Sequence, residues 1–527
     1  MTLHDNSRPS DTTPLPLGQV AAEFGLSGAT DSTAQFSGVV MSSGAVLPGD
    51  LFVAISGLRR HAANFLPDAV ARGAAAVLTD GAGAEIAAEL GSDLPVLIAD
   101  NPRELAGKIA AKLYGQPASK LTSLAVTGSN GKTTTTYLIR AALEGAHPVS
   151  AILGTVELRI GDEGIESPRT TVEGPVLQAM LGLAVERGAT AAVVEASSHG
   201  IALDRVSGLK VDVAVFTNLQ RDHLDFHGDM EGYFRDKAKL FTTEHAKAAV
   251  VCVDDEWGQR LAAQTEVPVV RVRTLPGLAA ADWYVESMNV GLDGVGSTFV
   301  LVDPDGTAHE AHAPLPGQVN VTNSANAIVA AVTAGVPLAG AISAVARAPG
   351  VPGRMERVVE RTDRTPLFLV DYAHTPDALE LALNSVRPIT PGRLWIVFGS
   401  DGDRDQGKRP LLGEIAARLA DVLVVTDENP RSEDPGTIRA QILEGVRQVR
   451  PKLAAVTEAE TRQQAIHYAL RSADPADTII ITGKGHEPTQ EIAGVFHRYN
   501  DRDCALNAAA QIWGELADSR TERGNNQ

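Results

Sequence analysis

Residues 123–134 read Ser123-Leu124-Ala125-Val126-Thr127-Gly128-Ser129-Asn130-Gly131-Lys132-Thr133-Thr134. Positions 123–127 have the make-up of a buried strand, and positions 132–143 that of a helix. Between them, two glycines let backbone N–H groups curl round phosphate oxygens, the helix start adds its positive dipole end, and Lys132 supplies a point charge. Thr133, directly after the lysine, has a hydroxyl suited to Mg²⁺ beside a nucleotide. The commoner spacing of this loop would place its first glycine at position 126, where the chain has Val126. The loop is therefore the shorter Gly-x-x-Gly-Lys-Thr. A Gly-rich turn without a ligand is the alternative, but the strand–loop–helix setting favours phosphate. Gly128, Ser129, Asn130, Gly131, Lys132, Thr133 and Thr134 become the candidate nucleotide contacts.

Outward from the loop, short apolar runs alternate with helical stretches along the chain. Runs at 51–55, 74–78 and 96–98, with helices at 64–72 and 103–114, predict a small α/β domain. Runs at 123–127, 191–196, 211–217 and 248–253 predict a mostly parallel sheet covered on both faces. The breaker cluster Ala348-Pro349-Gly350-Val351-Pro352-Gly353 marks a boundary. Beyond it, runs at 367–370, 394–398, 422–425, 453–456 and 478–481 predict a Rossmann-like unit. The expectation is an α/β protein of three domains at 17–118, 119–349 and 350–518. Residues 1–16 and 518–527 are polar and read as disordered tails.

The chain has 527 residues, with 46 Lys+Arg against 65 Asp+Glu and a formal net charge of −19. That balance argues against nucleic-acid binding and against anionic membranes, since both need a basic field. It leaves anionic small ligands open. The two cysteines, Cys252 and Cys504, cannot make a disulfide framework and point to a reducing compartment. No run is long enough to span a bilayer, a task needing ~20 apolar residues. A cytoplasmic monomer without membrane insertion is expected.

Further motifs follow in order: Glu195-Ala196-Ser197-Ser198-His199-Gly200, then Asp222-His223-Leu224-Asp225-Phe226-His227-Gly228, then Val351-Pro352-Gly353-Arg354-Met355-Glu356. Asp371-Tyr372-Ala373-His374-Thr375-Pro376, Gly402-Asp403-Arg404-Asp405 and Gly483-Lys484-Gly485-His486-Glu487 complete the set. With the phosphate loop, this succession resembles the Mur ligases, the ATP-dependent amide ligases that build the peptidoglycan stem peptide. The match covers most of the chain. It implies an N-terminal UDP-binding domain, a central ATPase domain and a C-terminal domain for the incoming amino acid. The implied reaction joins a diamino acid to UDP-N-acetylmuramoyl-L-alanyl-D-glutamate through an acyl phosphate, in cell-wall synthesis and hence in cell shape and division. Such chemistry crowds anions together, so the site should hold cations and metal.

Glu195 ends an apolar run, where open α/β sheets present ligands, although a solvated strand end would look the same. The resemblance makes Glu195 and His223 Mg²⁺ ligands, with Lys132 and Thr133 at the phosphates. A satisfied loop histidine is the other reading of His223, and nitrogen is an unusual donor to so hard a cation. The resemblance also marks Lys237 as an N6-carboxylysine, an anionic oxygen donor. A solvated lysine is its alternative, and Lys239 is its rival in the same stretch. Thr170, Thr171, Ser197 and Arg205 match acceptor-binding positions, but Arg169 and Leu203 replace the usual Asn and Gln. Around the UDP end, Ser42-Ser43-Gly44 replaces the usual Asp-Ser-Arg. Ser43 can still donate to a pyrophosphate, whereas the arginine is lost. Asn320 and Asn323 suit adenine edges, with a helix N-cap as the competing role. Arg354 would reach the triphosphate, Asp371 the ribose, and His374 lies close by in sequence. ATP would then bridge two domains, which implies closure before chemistry.

For the incoming amino acid, Thr426-Asp427-Glu428-Asn429-Pro430-Arg431 resembles the Asp-Asn-Pro-Arg of diaminopimelate-adding members, with Glu428 in place of Asp. A distal carboxylate calls for a guanidinium, and Arg431 and Arg404 supply two. Gly483 and Glu487 match positions for the distal groups. Charge complementarity favours meso-2,6-diaminopimelate over L-lysine. A nucleotide-operated switch or binding module, the rival from another class, would need no such pocket.

Overall fold

A computed structural model describes residues 7–57, 60–277, 279–290 and 296–514. Strand Thr122–Thr127 lies inside a sheet that counts eleven strands among the described residues. Its parallel part runs Ser150–Leu153, Ala191–Glu195, Thr122–Thr127, Val211–Phe216, Ala246–Cys252, Val269–Arg273 and Trp283–Val290. Leu124, Ala125, Val126, Val193, Ala214 and Val215 are all essentially inaccessible. Runs this apolar need cover on both faces, and helices Lys132–Leu143 and Gly174–Glu186 are among those that bury their own apolar faces here.

The register sets the site. Glu195 pairs with Val126, and Phe216 with Thr127, so three carboxyl ends finish at one level. From Thr122–Thr127 the chain goes first to strands on one side and later to Val211–Phe216 on the other. A crevice opens at such a switch point, outside the strand ends.

A five-stranded sheet precedes it, in the order Ser27–Gly28, Val96–Ile98, Ala76–Thr79, Asp50–Ala54, Gly38–Val40, parallel except at its first pair. A six-stranded sheet follows, in the order Glu356–Val359, Leu367–Val370, Thr478–Ile481, Leu394–Phe398, Val422–Val425, Val456–Glu458. It is parallel except at the first pair. The chain is therefore α/β with three main sheets, as expected. It forms two compact units. The first holds the described residues up to Val285 with Leu301–His309 and Asn323–Val345, and the second holds the remainder.

Three expectations need correction. The N-terminal tail is structured from Ser7: Ser7 is buried, Ser10 bonds Glu186 through its N–H and hydroxyl at 2.7 and 2.8 Å, and Leu15–Pro16 pairs with Gln35–Phe36. Polar composition misled because Arg8 and Ser10 spend their polar groups on Asp50 and Glu186 of the domain. The strand expected at 453–456 is Val456–Glu458, since Leu453 and Ala455 take left-handed backbone (φ 48° and 54°). Residues 157–166 and 283–313 add strands to the large sheet that the apolar runs did not reveal. Residues 1–6 and 515–527 lie outside the described residues.

Candidate active site

In the first unit, the phosphate loop has the backbone its glycines permit. Gly128 has φ 149° and Gly131 φ 84°, and a Cβ on either would strike Thr217 or Asn323. The segment after the neighbouring strand pins the loop. The Thr217 hydroxyl donates to the Asn130 carbonyl (2.6 Å), the Asn130 amide N–H₂ to Gln220 (2.7 Å), and the Asn130 backbone N–H to Asn218 (3.0 Å). Lys132 Nζ folds onto the carbonyls of Gly128 and Ser129 at 2.9 and 2.8 Å. Thr134 is buried in the first turn, and Asn323 accepts a bond from Thr135 (3.3 Å).

Glu195 is fully buried at its strand end. One carboxylate oxygen accepts from the hydroxyls of Thr133 (3.1 Å) and Thr155 (2.8 Å), and the other from the Thr155 N–H (3.2 Å). Oxygen donors gathered this way suit a hard cation. Among the described residues no three His, Cys, Asp or Glu side chains form a ready metal cage.

Lys237 sits on helix Met230–Ala238, one turn from Tyr233, with its side chain inside. Its Nζ donates to the Gly128 carbonyl (2.7 Å) and lies 4.6 Å from the Tyr233 ring centre. Burial, with Lys132 nearby, holds its amine well below the usual lysine range. Lys239 is half exposed and pairs with Asp236 at 2.8 Å. His223 has left-handed backbone (φ 53°) ahead of helix Leu224–His227, lies 3.3 Å from Asp222, and touches His199 ring to ring at 4.7 Å. Burial and the charges of Lys132 and Lys237 lower its pKa.

The acceptor candidates adjoin Glu195. Thr170 Oγ1 lies 3.1 Å from Thr155 Oγ1, and Thr171 donates to the Glu195 carbonyl (2.8 Å) while contacting Ser197 Oγ at 3.0 Å. Ser197 also caps helix Ser198–Ala202. Arg205 reaches the Thr171 carbonyl (3.3 Å) and Glu173 (3.1 Å). Arg103 and Arg169 converge on the same Glu173, each at 2.7 Å. Three guanidiniums thus surround one carboxylate, leaving a local positive excess. A cavity of ≈ 290 Å³ opens beside them, lined in part by Val39, Met41, Ser42, Arg103, Tyr114 and Arg169. Ser43 does not line it and bonds Asp68 instead.

In the second unit, Asp371 is anchored by N–H groups of Met355 (2.8 Å) and Ala373 (2.9 Å), and Arg354 lies 4.2 Å over the Tyr372 ring. His374 bonds the Tyr372 carbonyl (2.8 Å), and its own carbonyl accepts from Lys408 (3.1 Å). Asn320 is buried and donates to the Pro316 carbonyl (2.8 Å).

Glu428, Asn429, Pro430 and Arg431 leave strand Val422–Val425 in one turn. Gly402 packs so close beneath it that a Cβ would strike the Pro430 carbonyl. Glu428 is buried with one carboxyl oxygen unpartnered, and a Cβ on Gly483 (φ 109°) would collide with that carboxyl. Burial and Asp401 push the Glu428 pKa up to about 8, against the pull of Lys408 and Arg462. Arg431, at φ 54°, is loosely held: Asp401 is 3.5 Å and Glu491 3.9 Å from its guanidinium. Glu487 accepts from Asn429 (3.1 Å) and Lys484 (2.8 Å), while Arg404 is exposed.

Thr155, Asn218, Gln220 and Lys484 escaped the sequence reading. Lys484 is fully buried and braces both Asn429 (2.9 Å) and Glu487. It stands inside a motif already quoted, which was a usable signal. Thr155 had none.

Two family models match, the Mur ligase middle domain over residues 126–331 and the Mur ligase glutamate ligase domain over 353–485. The chain is 45% identical to a UDP-N-acetylmuramoyl-L-alanyl-D-glutamate--2,6-diaminopimelate ligase of Streptomyces coelicolor, over 98% of this chain and 100% of that one. It is 43% identical to the protein of the same name from Synechococcus elongatus, over 88% and 92% of the two chains. A solved structure, again under that name, superposes with a TM-score of 0.64 at 33% identity, over 91% of this chain and 95% of the other.

Proposed function

The chain belongs to the Mur ligase family, and from that premise we infer that it adds meso-diaminopimelate to UDP-N-acetylmuramoyl-L-alanyl-D-glutamate, with ATP converted to ADP and phosphate. The observation that carries the amino-acid assignment is the turn 428–431, which presents a weakly engaged Arg431 beside the buried carboxyl of Glu428. A diamino acid with a distal carboxylate needs that pairing of guanidinium and carboxyl, whereas L-lysine offers no carboxylate to Arg431 at its far end. Identity of 45% and 43% to two ligases named for diaminopimelate supports the same choice.

The proposed division of labour follows the three sheets, at 17–118 for the UDP end, 119–349 for ATP and acceptor, and 350–518 for the incoming amino acid. Gly128 to Thr134 would wrap the phosphates, and Lys132 would leave the loop carbonyls to pair with them. Asn320 and Asn323 would serve the adenine, Arg354 the phosphates, and Asp371 with His374 the ribose. Thr133, Glu195, His223 and a carboxylated Lys237 would hold Mg²⁺, which when bound offsets the charge of the reacting anions. Burial favours the neutral amine of Lys237, the form that captures CO₂, and so supports Lys237 over Lys239. Thr170, Thr171, Ser197 and Arg205 would orient the acceptor so that its carboxylate meets ATP. The acyl phosphate formed there would be attacked by the free amine, releasing phosphate and a proton. Substrates of this kind place the reaction in the cytoplasm, and no described helix is long and apolar enough to cross a membrane.

The test is ligation with UDP-N-acetylmuramoyl-L-alanyl-D-glutamate and ATP, offering meso-diaminopimelate and L-lysine separately. Tripeptide product with diaminopimelate, and far less with L-lysine, is expected. ADP release without product overturns the ligase reading, and preference for L-lysine overturns the amino-acid assignment.

A further inference from the structure

The N-terminal segment carries a guanidinium into the wall of the 290 Å³ cavity. Arg8 pairs with Asp50, whose carboxylate is fully buried and also accepts the Leu47 N–H at 2.8 Å. Arg8 also bonds the Tyr114 hydroxyl. The segment is seated along its length. A Cβ on Gly38 would collide with Arg8 and Asp50, and one on Gly182 would press on Pro9 at 2.8 Å. Ser10 fastens the far end to Glu186. Yet about a fifth of the Arg8 side chain (21%) stays open, and Arg8 lines the cavity together with Arg103 and Arg169.

An arginine that only neutralised Asp50 would need one or two of its five N–H donors. Arg8 keeps donors beyond that pairing, and the wall of the cavity it lines has, in Arg8, Arg103, Arg169 and Glu173, more arginine than carboxylate. The apolar part of that wall, Val39, Met41 and Tyr114, suits a base or sugar, and the arginines suit a diphosphate. Position 44, where an arginine is expected by resemblance, is an exposed glycine on the short helix Ser43–Ala45.

We propose that Arg8 is a binding residue for the diphosphate of the acceptor's UDP end, supplying from the N-terminal segment the guanidinium that Gly44 lacks. This rests on the acceptor assigned above. Ser7 and Arg8, both on the cavity wall, are then part of the substrate site.

The experiment measures KM for UDP-N-acetylmuramoyl-L-alanyl-D-glutamate, kcat, inhibition by UDP alone, and thermal midpoint, in full-length R8A, R8A/D50N and R8A/G44R. Loss of charge-assisted bonds to a phosphate predicts a rise of about 10- to 100-fold in acceptor KM and in the UDP inhibition constant for R8A. KM for ATP and for diaminopimelate should hold. R8A/D50N removes the uncompensated buried charge, so its midpoint should recover while acceptor KM stays high. R8A/G44R should regain acceptor affinity, since a Cβ at Gly44 meets only Ser42 Oγ at 3.8 Å and the backbone there has ordinary φ. Acceptor KM that stays at the wild-type value in R8A, or that returns in R8A/D50N along with stability, overturns the proposal and makes Arg8 purely structural. Wild type that forms no tripeptide refutes the ligase reading instead, whatever Arg8 does.

Discussion

Glu428 offers a measurable consequence of placing a longer carboxyl in the amino-acid pocket. It is buried, has an unpartnered oxygen, and faces Asp401 and Glu487 with Lys408 and Arg462 opposing them, so its pKa rises from the usual 4.5 to about 8. Between those values the folded chain keeps a proton that the unfolded chain has released, so stability falls as pH rises through that window. Each pH unit is worth about 1.4 kcal/mol, or about 3 kcal/mol on going from pH 4.5 to pH 7. Glu428→Gln removes the titration while keeping size. Unliganded wild type and E428Q should therefore diverge from pH 5 to 8, with the Gln variant gaining, when unfolding of strands Leu394–Phe398 and Val422–Val425 is followed by hydrogen exchange. Diaminopimelate brings ammonium groups that favour the ionised form, so its binding near pH 7 should release roughly 0.9 proton. Calorimetry in two buffers of different ionisation enthalpy reads this directly. E428Q should release almost none and bind the amino acid about 10- to 100-fold more weakly. Parallel stability curves, together with proton release unchanged by the substitution, would refute the reasoning.

Lys237→Ala should lower kcat by at least ~100-fold by removing a metal-binding oxygen donor, and formate or acetate should restore part of it by filling the vacated space. Arg431→Met should raise KM for diaminopimelate about 10- to 100-fold and leave the slow reaction with L-lysine within a few-fold, narrowing the preference. Gly131→Ala should weaken ATP binding by at least ~10-fold, because φ 84° costs a side chain about 1 kcal/mol or more and the new Cβ strikes Asn323. Thr155→Val removes the Thr155 hydroxyl bond to Glu195 and should lower kcat about 10-fold with acceptor KM nearly constant.

What could be read in advance follows from how local each signal is. Strands 367–370, 394–398, 422–425 and 478–481 coincide with their apolar runs, because parallel strands buried on both faces have no other composition available. The phosphate loop is legible for a similar reason, since strand, turn and helix start are contiguous. The choice of Lys237 over Lys239 needed resemblance, although helical spacing pointed the same way: Lys237 follows Tyr233 by four residues and both are buried. Glu195's support from Thr155 and the seat of Arg8 against Asp50 were not legible, as each joins positions 40 or more apart. Leu453 and Ala455 adopt left-handed backbone without being glycine, so nothing in their identity warned of the shifted strand.

The net charge of −19 hides two opposite local solutions. In the first unit, Arg103, Arg169 and Arg205 share one Glu173, and Lys132 folds onto carbonyls and not onto a carboxylate. Cations held so lightly lose little when an anionic ligand displaces their internal partners, and partial burial keeps the attraction from being screened. In the second unit, Asp401 and Glu491 flank a loosely paired Arg431, while the buried Glu428 feels the charges of Asp401 and Glu487 against those of Lys408 and Arg462. Such a pocket sets its carboxyls against one another until a ligand with ammonium groups arrives, and the loosely held Arg431 then has a carboxylate to take. A diamino acid with both an ammonium and a carboxylate at its far end relieves both strains, which neither glutamate, lacking the second ammonium, nor a nucleotide does. An added lysine in the first unit and an added glutamate in the second would each be a small change in total charge, yet each would weaken its site by crowding like charges.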